Sequence, residues 1–124
     1  MRILVVDDEP LVREDIAFLL KQGGYAREIG QACDGHEALA ILTREMVDVV
    51  LLDICMPGMD GLCLLRQMRS EYPQILVIII SGWDSFNYAQ QAMRDGAIDY
   101  LLKPIDQQSF DEALSRVRDK FLAN

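Results

Sequence analysis

The chain has 124 residues, 51% of them hydrophobic and 26% charged, a size that suits one domain able to bury roughly two thirds of its unfolded surface. No apolar run approaches membrane-spanning length, and Met1 to Asp8 enters a strand without the apolar region of a signal peptide, so the expected location is cytoplasmic. A net charge of −8 opposes direct binding to nucleic acid, and the three cysteines form no CxxC pair, which argues against both a zinc site and a disulfide framework.

Arg2 to Val6 is aliphatic and reads as a first strand, ending in Asp7-Asp8-Glu9 with Pro10 placed to open a helix. From Leu11 the positions Val12, Ile16, Leu19 and Leu20 recur at helical spacing until Gly23-Gly24. Arg27 to Ala32 contains Glu28 and Gln31 and is expected at a sheet edge. Asp34 and Glu37 form a capping box before a helix with Ala38, Leu39, Ile41 and Leu42 on one face. Val47 to Asp53 lacks the polar alternation of a half-wet strand, so it is predicted to be buried on both faces and to close on a carboxylate. Met56-Pro57-Gly58-Met59-Asp60-Gly61 turns the chain out of the sheet, and a helix follows through Leu62, Leu65 and Met68 as far as Pro73. Ile75 to Ile80 repeats the buried-strand composition and ends at Ser81-Gly82. Ser85 to Arg94 is a helix by the spacing of Phe86, Ala89 and Met93, closed by Gly96. Asp99 to Leu102 is a short strand ending at Lys103-Pro104, and Asp106 to Leu122 is a helix with Phe110, Leu114, Val117 and Phe121 on one face. Five strands alternating with five helices predict a parallel sheet covered on both faces, with right-handed crossovers. Cys33 and Cys63 are expected in or near the core, and His36 on a solvated helix surface.

Four strand ends carry groups able to meet at one sheet edge, where open α/β sheets place their ligands: Asp7 and Asp8, Asp53, Ser81, and Lys103. Two unit charges about 4 Å apart repel by roughly 4 kcal/mol at an effective dielectric of about 20, so clustered carboxylates call for a cation. Oxygen ligands without His or Cys side chains favour a hard ion, and Mg²⁺ suits a site that works beside phosphates. A carboxylate beside Mg²⁺ and a lysine is equipped to attack phosphorus and form an aspartyl phosphate, with Ser81 donating to a phosphoryl oxygen. No glycine-rich phosphate loop is present, which gives nucleotide binding little support.

Over essentially its whole length the sequence resembles the receiver domain of bacterial two-component response regulators. The resemblance rests on Asp7-Asp8, Asp53, the Met56 to Gly61 loop, Ser81-Gly82, Gly96-Ala97, Tyr100 and Lys103-Pro104, all in family order. It implies an α/β, flavodoxin-like (CheY-like) doubly wound fold whose five-stranded parallel sheet has order 2-1-3-4-5 with five helices. Residues 1–124 then form a single receiver domain, and any output domain lies outside this chain. The implied roles are Asp53 as phosphoryl acceptor from a sensor histidine kinase, Asp8 as direct Mg²⁺ ligand, Asp7 as ligand through water, and Asp53 and the Cys55 backbone carbonyl as further ligands. Lys103 pairs with the phosphoryl group, and the Lys103-Pro104 bond is expected to be cis. Ser81 and Tyr100 form the switch, which alters the face made by helix 4, strand 5 and helix 5. That face regulates an output, transcription, and serves a homodimer formed on phosphorylation. The implied module is not an enzyme towards other molecules, since it catalyses only its own phosphoryl transfer and dephosphorylation, and it contacts neither nucleic acid nor membrane directly.

Ile98 stands where winged-helix regulators usually carry an acidic residue, while the segments Ser81 to Ala89 and Tyr100 to Ile105 look more like receivers attached to AraC-type DNA-binding domains. Cys55 and Trp83, each two residues beyond a site group, are expected to flank the phosphoryl pocket, with bulky Trp83 hindering water. The rival from another class is a Mg²⁺-dependent phosphohydrolase of the haloacid-dehalogenase type. Such enzymes place a second Asp two residues after the nucleophile, and here that residue is Cys55.

Overall fold

The computed structural model describes residues 1–56, 58–82 and 84–123, with residue 59 described by its backbone alone. The readings of Pro57 and Trp83 lie outside the described residues. The strands of the main sheet are β1 (Arg2–Val6), β2 (Glu28–Ala32), β3 (Val49–Asp53), β4 (Leu76–Ser81) and β5 (Asp99–Leu102), and the helices are α1 (Pro10–Gly23), α2 (Gly35–Arg44), α3 (Gly61–Glu71), α4 (Phe86–Arg94) and α5 (Gln107–Ala123). All strand pairs in this sheet are parallel, in the order β2-β1-β3-β4-β5. The expected flavodoxin-like order is therefore the observed one, and β2, with its polar residues, is an edge strand.

Successive strand residues point to opposite faces, and this alternation divides the core in two. Leu4, Val6, Val50, Leu52, Val77 and Ile79 pack with Ala38, Leu65, Met68 and Ala92 from α2, α3 and α4. Ile3, Val5, Val49, Leu51, Ile78 and Ile80 pack with Ile16 and Leu20 from α1 and Phe110, Leu114 and Val117 from α5. Every residue of β3 is buried, as its unbroken aliphatic run predicts.

Several boundaries differ from the sequence reading. The ladder of β3 begins at Val49, not Val47, because Asp48 is used to tie strand ends: its carboxylate accepts from the Arg2 amide at 2.8 Å and its carbonyl accepts from the Leu76 amide at 3.0 Å. Between β3 and α3 lies an unanticipated two-residue antiparallel ribbon, Cys55–Met56 against Met59–Asp60, that delivers Asp60 as the N-cap of α3. Gly61 is required there, since a Cβ would stand 2.3 Å from Ile54 Cα.

The apolar spacing of α4 marks a helix, as expected, but not a buried face. Phe86 is 76% exposed and Met93 47%, whereas Ala92 is the buried residue of this helix. Its larger apolar side chains therefore face outward. Phe121 is also partly exposed, near the end of α5. Cys33 and Cys63 are exposed, not packed in the core: Cys33 follows the last residue of edge strand β2, and Cys63 sits in the first turn of α3 beside Asp60 and Arg66. His36 is exposed, as expected.

Candidate functional site

Parallel strands that all run the same way put their carboxyl ends on one edge. Asp7 and Asp8 follow β1, Asp53 is the last residue of β3, Ser81 the last of β4, and Lys103 follows β5. The structure brings the charged groups together. Lys103 Nζ lies 2.8 Å from Asp7 Oδ2 and 3.4 Å from Asp53 Oδ2. Asp7 and Asp53 are almost wholly buried, and Ser81 is fully so. The Lys103-Pro104 bond is cis, as expected.

Each buried carboxylate is held by one oxygen and leaves the other to the pocket. Asp7 Oδ1 accepts from the Glu9 amide at 2.9 Å, and Asp53 Oδ1 accepts from the Cys55 amide at 3.0 Å. Both bonds span two residues, the Asx-turn pattern that lets an Asp close its own loop. The free oxygens, Asp7 Oδ2 and Asp53 Oδ2, are the ones that meet Lys103. Asp7 Oδ2 pairs with the ammonium by charge and has no hydrogen-bond partner among the described residues.

The electrostatics follow from burial and crowding. Burial pushes the Asp53 carboxyl above its ordinary range; the Cys55 amide opposes this, Asp7 adds to it and Lys103 opposes it. For Lys103, burial lowers the pKa, yet the pull of Asp7, Asp53 and Glu9 outweighs it and holds the ammonium above its usual value. Burial likewise raises the Cys55 thiol, against a hydrogen bond with Ser81, so the thiol stays protonated near neutrality. Cys55 Sγ is 3.9 Å from Ser81 Oγ.

One oxygen each from Asp7, Asp8 and Asp53 lie within 4.8 Å of one another. An all-carboxylate donor set containing a buried oxygen without a hydrogen-bond partner fits a hard divalent cation such as Mg²⁺. Asp8 is exposed, so a cation held there keeps access to solvent.

Tyr100, within β5, is half-buried. Burial raises the pKa of its phenol, opposed by a hydrogen bond with Ser81. The two residues expected to form a switch are thus in contact.

Two residues escaped the sequence reading. Glu9 reaches Lys103 at 3.5 Å. Its place beside the Asp pair was the available signal, but an acidic residue before a helix is well explained by the helix dipole. Arg13, in α1, donates from Nη1 to the Asp7 carbonyl at 2.6 Å and from Nε to Gln31 Oε1 at 3.1 Å. A side chain turning back onto backbone leaves no mark in spacing or hydropathy.

Residues 3–115 match the response regulator receiver domain family. Curated relatives include the response regulator MprA of Mycolicibacterium vanbaalenii, 39% identical over 118 residues that cover 95% of this chain and 49% of that protein. The transcriptional regulatory protein MalR of Bacillus subtilis is 37% identical over 121 residues, covering 97% of this chain and 51% of MalR. The uncharacterized transcriptional regulatory protein YesN of Bacillus subtilis is 35% identical over 117 residues, 94% of this chain and 32% of YesN. The chain therefore spans about half of these relatives or less. Among solved structures, the receiver domain of AraT, a response regulator from Geobacillus stearothermophilus, has a TM-score of 0.88 at 39% identity, covering 98% of this chain and 95% of that one. A response regulator receiver domain from Clostridium thermocellum has a TM-score of 0.84 at 35% identity, covering 98% of both chains.

Proposed function

The chain belongs to the response regulator receiver domain family, and on that premise we propose that it is a phosphorylation-controlled module whose acceptor is Asp53. The observation that carries this reading is the convergence of Asp53, Asp7 and Lys103 at one sheet edge, with Lys103 Nζ within 3.4 Å of Asp53 Oδ2.

The donor is a phosphohistidine on a sensor histidine kinase. Asp53 Oδ2 forms the new bond to phosphorus as the phosphorus–nitrogen bond breaks; the bonding pair stays on the imidazole nitrogen, which takes a proton from solvent. Lys103 is close enough to follow the charge onto a phosphoryl oxygen, and the Ser81 hydroxyl donates to another. Asp7, Asp8 and Asp53, with the Cys55 backbone carbonyl, are the groups that would hold Mg²⁺, which when bound supplies positive charge against the phosphoryl oxygens. Hydrolysis of the aspartyl phosphate at the same site resets the module, and this self-directed chemistry is its whole catalytic repertoire.

The output runs through Ser81 and Tyr100. Movement of Ser81 towards the phosphoryl group disturbs its bond with Tyr100, and the aromatic ring transmits the change to the face of α4, β5 and α5. A phosphoryl group adds about −1.5 to −2 charge, sufficient to bias a two-state loop. The outward Phe86 and Met93 of α4, with Leu102 of β5, supply apolar surface on that face for a homodimer formed on phosphorylation. The regulated output is transcription, through a domain outside residues 1–124, since relatives named as transcriptional regulators extend well beyond the matched region. Among the described residues no helix is long and apolar enough to cross a membrane; the proposed setting is the cytoplasm, with no direct nucleic-acid contact by this domain.

The test is incubation with Mg²⁺ and acetyl phosphate, following acid-labile mass gain by intact-mass spectrometry. The parent gains one phosphoryl group only with Mg²⁺, and Asp53→Asn gains none. Rapid turnover of diverse phosphate esters without a lasting adduct would instead identify a phosphohydrolase.

A further inference from the structure

We propose that Arg13 is a positioning residue for the carboxylate site, setting where Asp7 presents its oxygens. The inference rests on the reading of that site as a Mg²⁺ site.

The turn between β1 and α1 has an unusual support. Its N-cap, Glu9, makes no side-chain capping bond, and its carboxylate turns instead towards Lys103. The ordinary means of fixing a helix start, an N-cap side chain bonded to the amides of the first turn, is therefore unused. Arg13 supplies an alternative from within the helix. Its backbone amide bonds to the Glu9 carbonyl at 3.2 Å in the first helical turn, while its guanidinium folds back to the Asp7 carbonyl at 2.6 Å and across to Gln31 of β2 at 3.1 Å.

Asp7 is consequently held at three atoms. Its amide donates to the Ala32 carbonyl at 3.1 Å, its carbonyl accepts from Arg13, and its Oδ1 accepts from the Glu9 amide. With these fixed, Oδ2 is the remaining polar atom, and it faces the pocket with no hydrogen-bond partner among the described residues, 2.8 Å from the Lys103 ammonium. The Arg13–Asp7 bond is charge-assisted and short, and the planar guanidinium joins two donors in one rigid fork. Gln31 orients that fork from the neighbouring strand, so the position of a metal-ligand turn is referred to the sheet itself.

A positive charge near a cation site and a brace for its ligands have opposite effects on removal. Deleting a repelling charge alone tightens Mg²⁺ binding. Deleting a brace loosens it, and outer-shell supports of metal ligands are typically worth about 10–100-fold in affinity. Thermal melts at increasing Mg²⁺ give the apparent Mg²⁺ dissociation constant and, without metal, the intrinsic stability of each protein. Arg13→Ala is expected to bind Mg²⁺ about tenfold more weakly than the parent, Gln31→Ala to shift in the same direction by less, and Arg13→Lys, which keeps the charge and one donor, to recover part of the loss. A parent-like or tighter Mg²⁺ response in Arg13→Ala overturns the inference, even if its metal-free melting temperature falls, because that pattern describes a merely structural or purely electrostatic residue. A parent that shows no Mg²⁺-dependent stabilisation overturns the metal reading of the site, and the role of Arg13 with it.

Discussion

Lys103 Nζ stands 2.8 Å from Asp7 Oδ2, joining a residue beyond β5 to one beyond β1 across two intervening strands. The pair makes Lys103 a stand-in for the cation that the carboxylates require. Replacing it with the apolar isostere in Lys103→Met leaves Asp7 and Asp53 buried without compensation. Loss of one partner from a buried pair costs up to about 3–5 kcal/mol. Urea unfolding at neutral pH with chelator should show a lower midpoint for Lys103→Met, and saturating Mg²⁺ should restore much of the loss. Equal midpoints with chelator would mean that the lysine does not balance this site.

Gly61 tests the loop that follows the acceptor. A methyl group there meets the Ile54 backbone at 2.3 Å, and overpacking of this kind typically costs about 1–3 kcal/mol. Gly61→Ala should unfold at lower urea than the parent. Gly82→Ala, where an added Cβ meets nothing within 4 Å, should stay close to the parent. Equal loss in both variants would refute the packing described for Ile54.

Two of the helix aromatics, Phe110 and Phe86, should behave differently. Phe110 is fully buried and meets Tyr25 edge-on at 6.3 Å between ring centroids, so Phe110→Ala should cost about 3–5 kcal/mol. Phe86 lies on the outward side of α4, and Phe86→Ala should stay within about 0.5 kcal/mol of the parent. A large loss at Phe86 would mean that this stripe is core after all.

Asp106, just before α5, accepts from the amide of Ser109 at 2.8 Å and from its hydroxyl at 2.8 Å. These bonds hold its carboxyl below the usual range. A carboxyl whose folded pKa is depressed contributes stability above its unfolded pKa, about 3.9, and loses it as pH falls through the folded value. The parent should therefore exceed Asp106→Asn in melting temperature at neutral pH, and the gap should close as pH drops below about 4. A gap independent of pH would show that the charge plays no part in the cap.

Much of the fold was legible because its signals are local. The aliphatic run ending at Asp53 is buried on both faces, and the polar residues of β2 mark an edge, as strand composition alone suggests. The shared sheet edge of Asp7, Asp53, Ser81 and Lys103 followed from parallel topology. What spacing does not encode is direction towards a particular neighbour. Phe86, Ala89 and Met93 recur at helical period whether their stripe meets the sheet or solvent, and in α4 the smaller Ala92 takes the buried place. Cys33 and Cys63 belong to a residue type that is usually buried, but their positions just beyond β2 and in the first turn of α3 leave them exposed. The ribbon at Cys55–Met56, the reach of Glu9 and the back-turned Arg13 depend on backbone atoms brought together only by folding.

The central claim is that Asp53 is the residue that takes the phosphoryl group, and the most direct measurement is chemical trapping of the acyl phosphate. Reduction of the Mg²⁺- and acetyl-phosphate-treated protein with borohydride converts a phosphorylated aspartate to homoserine, which peptide mass mapping locates. Homoserine at position 53, absent when Mg²⁺ is withheld, is the predicted result. An adduct that maps to Asp7, Asp8 or any other residue, with Asp53 unmodified, would contradict it.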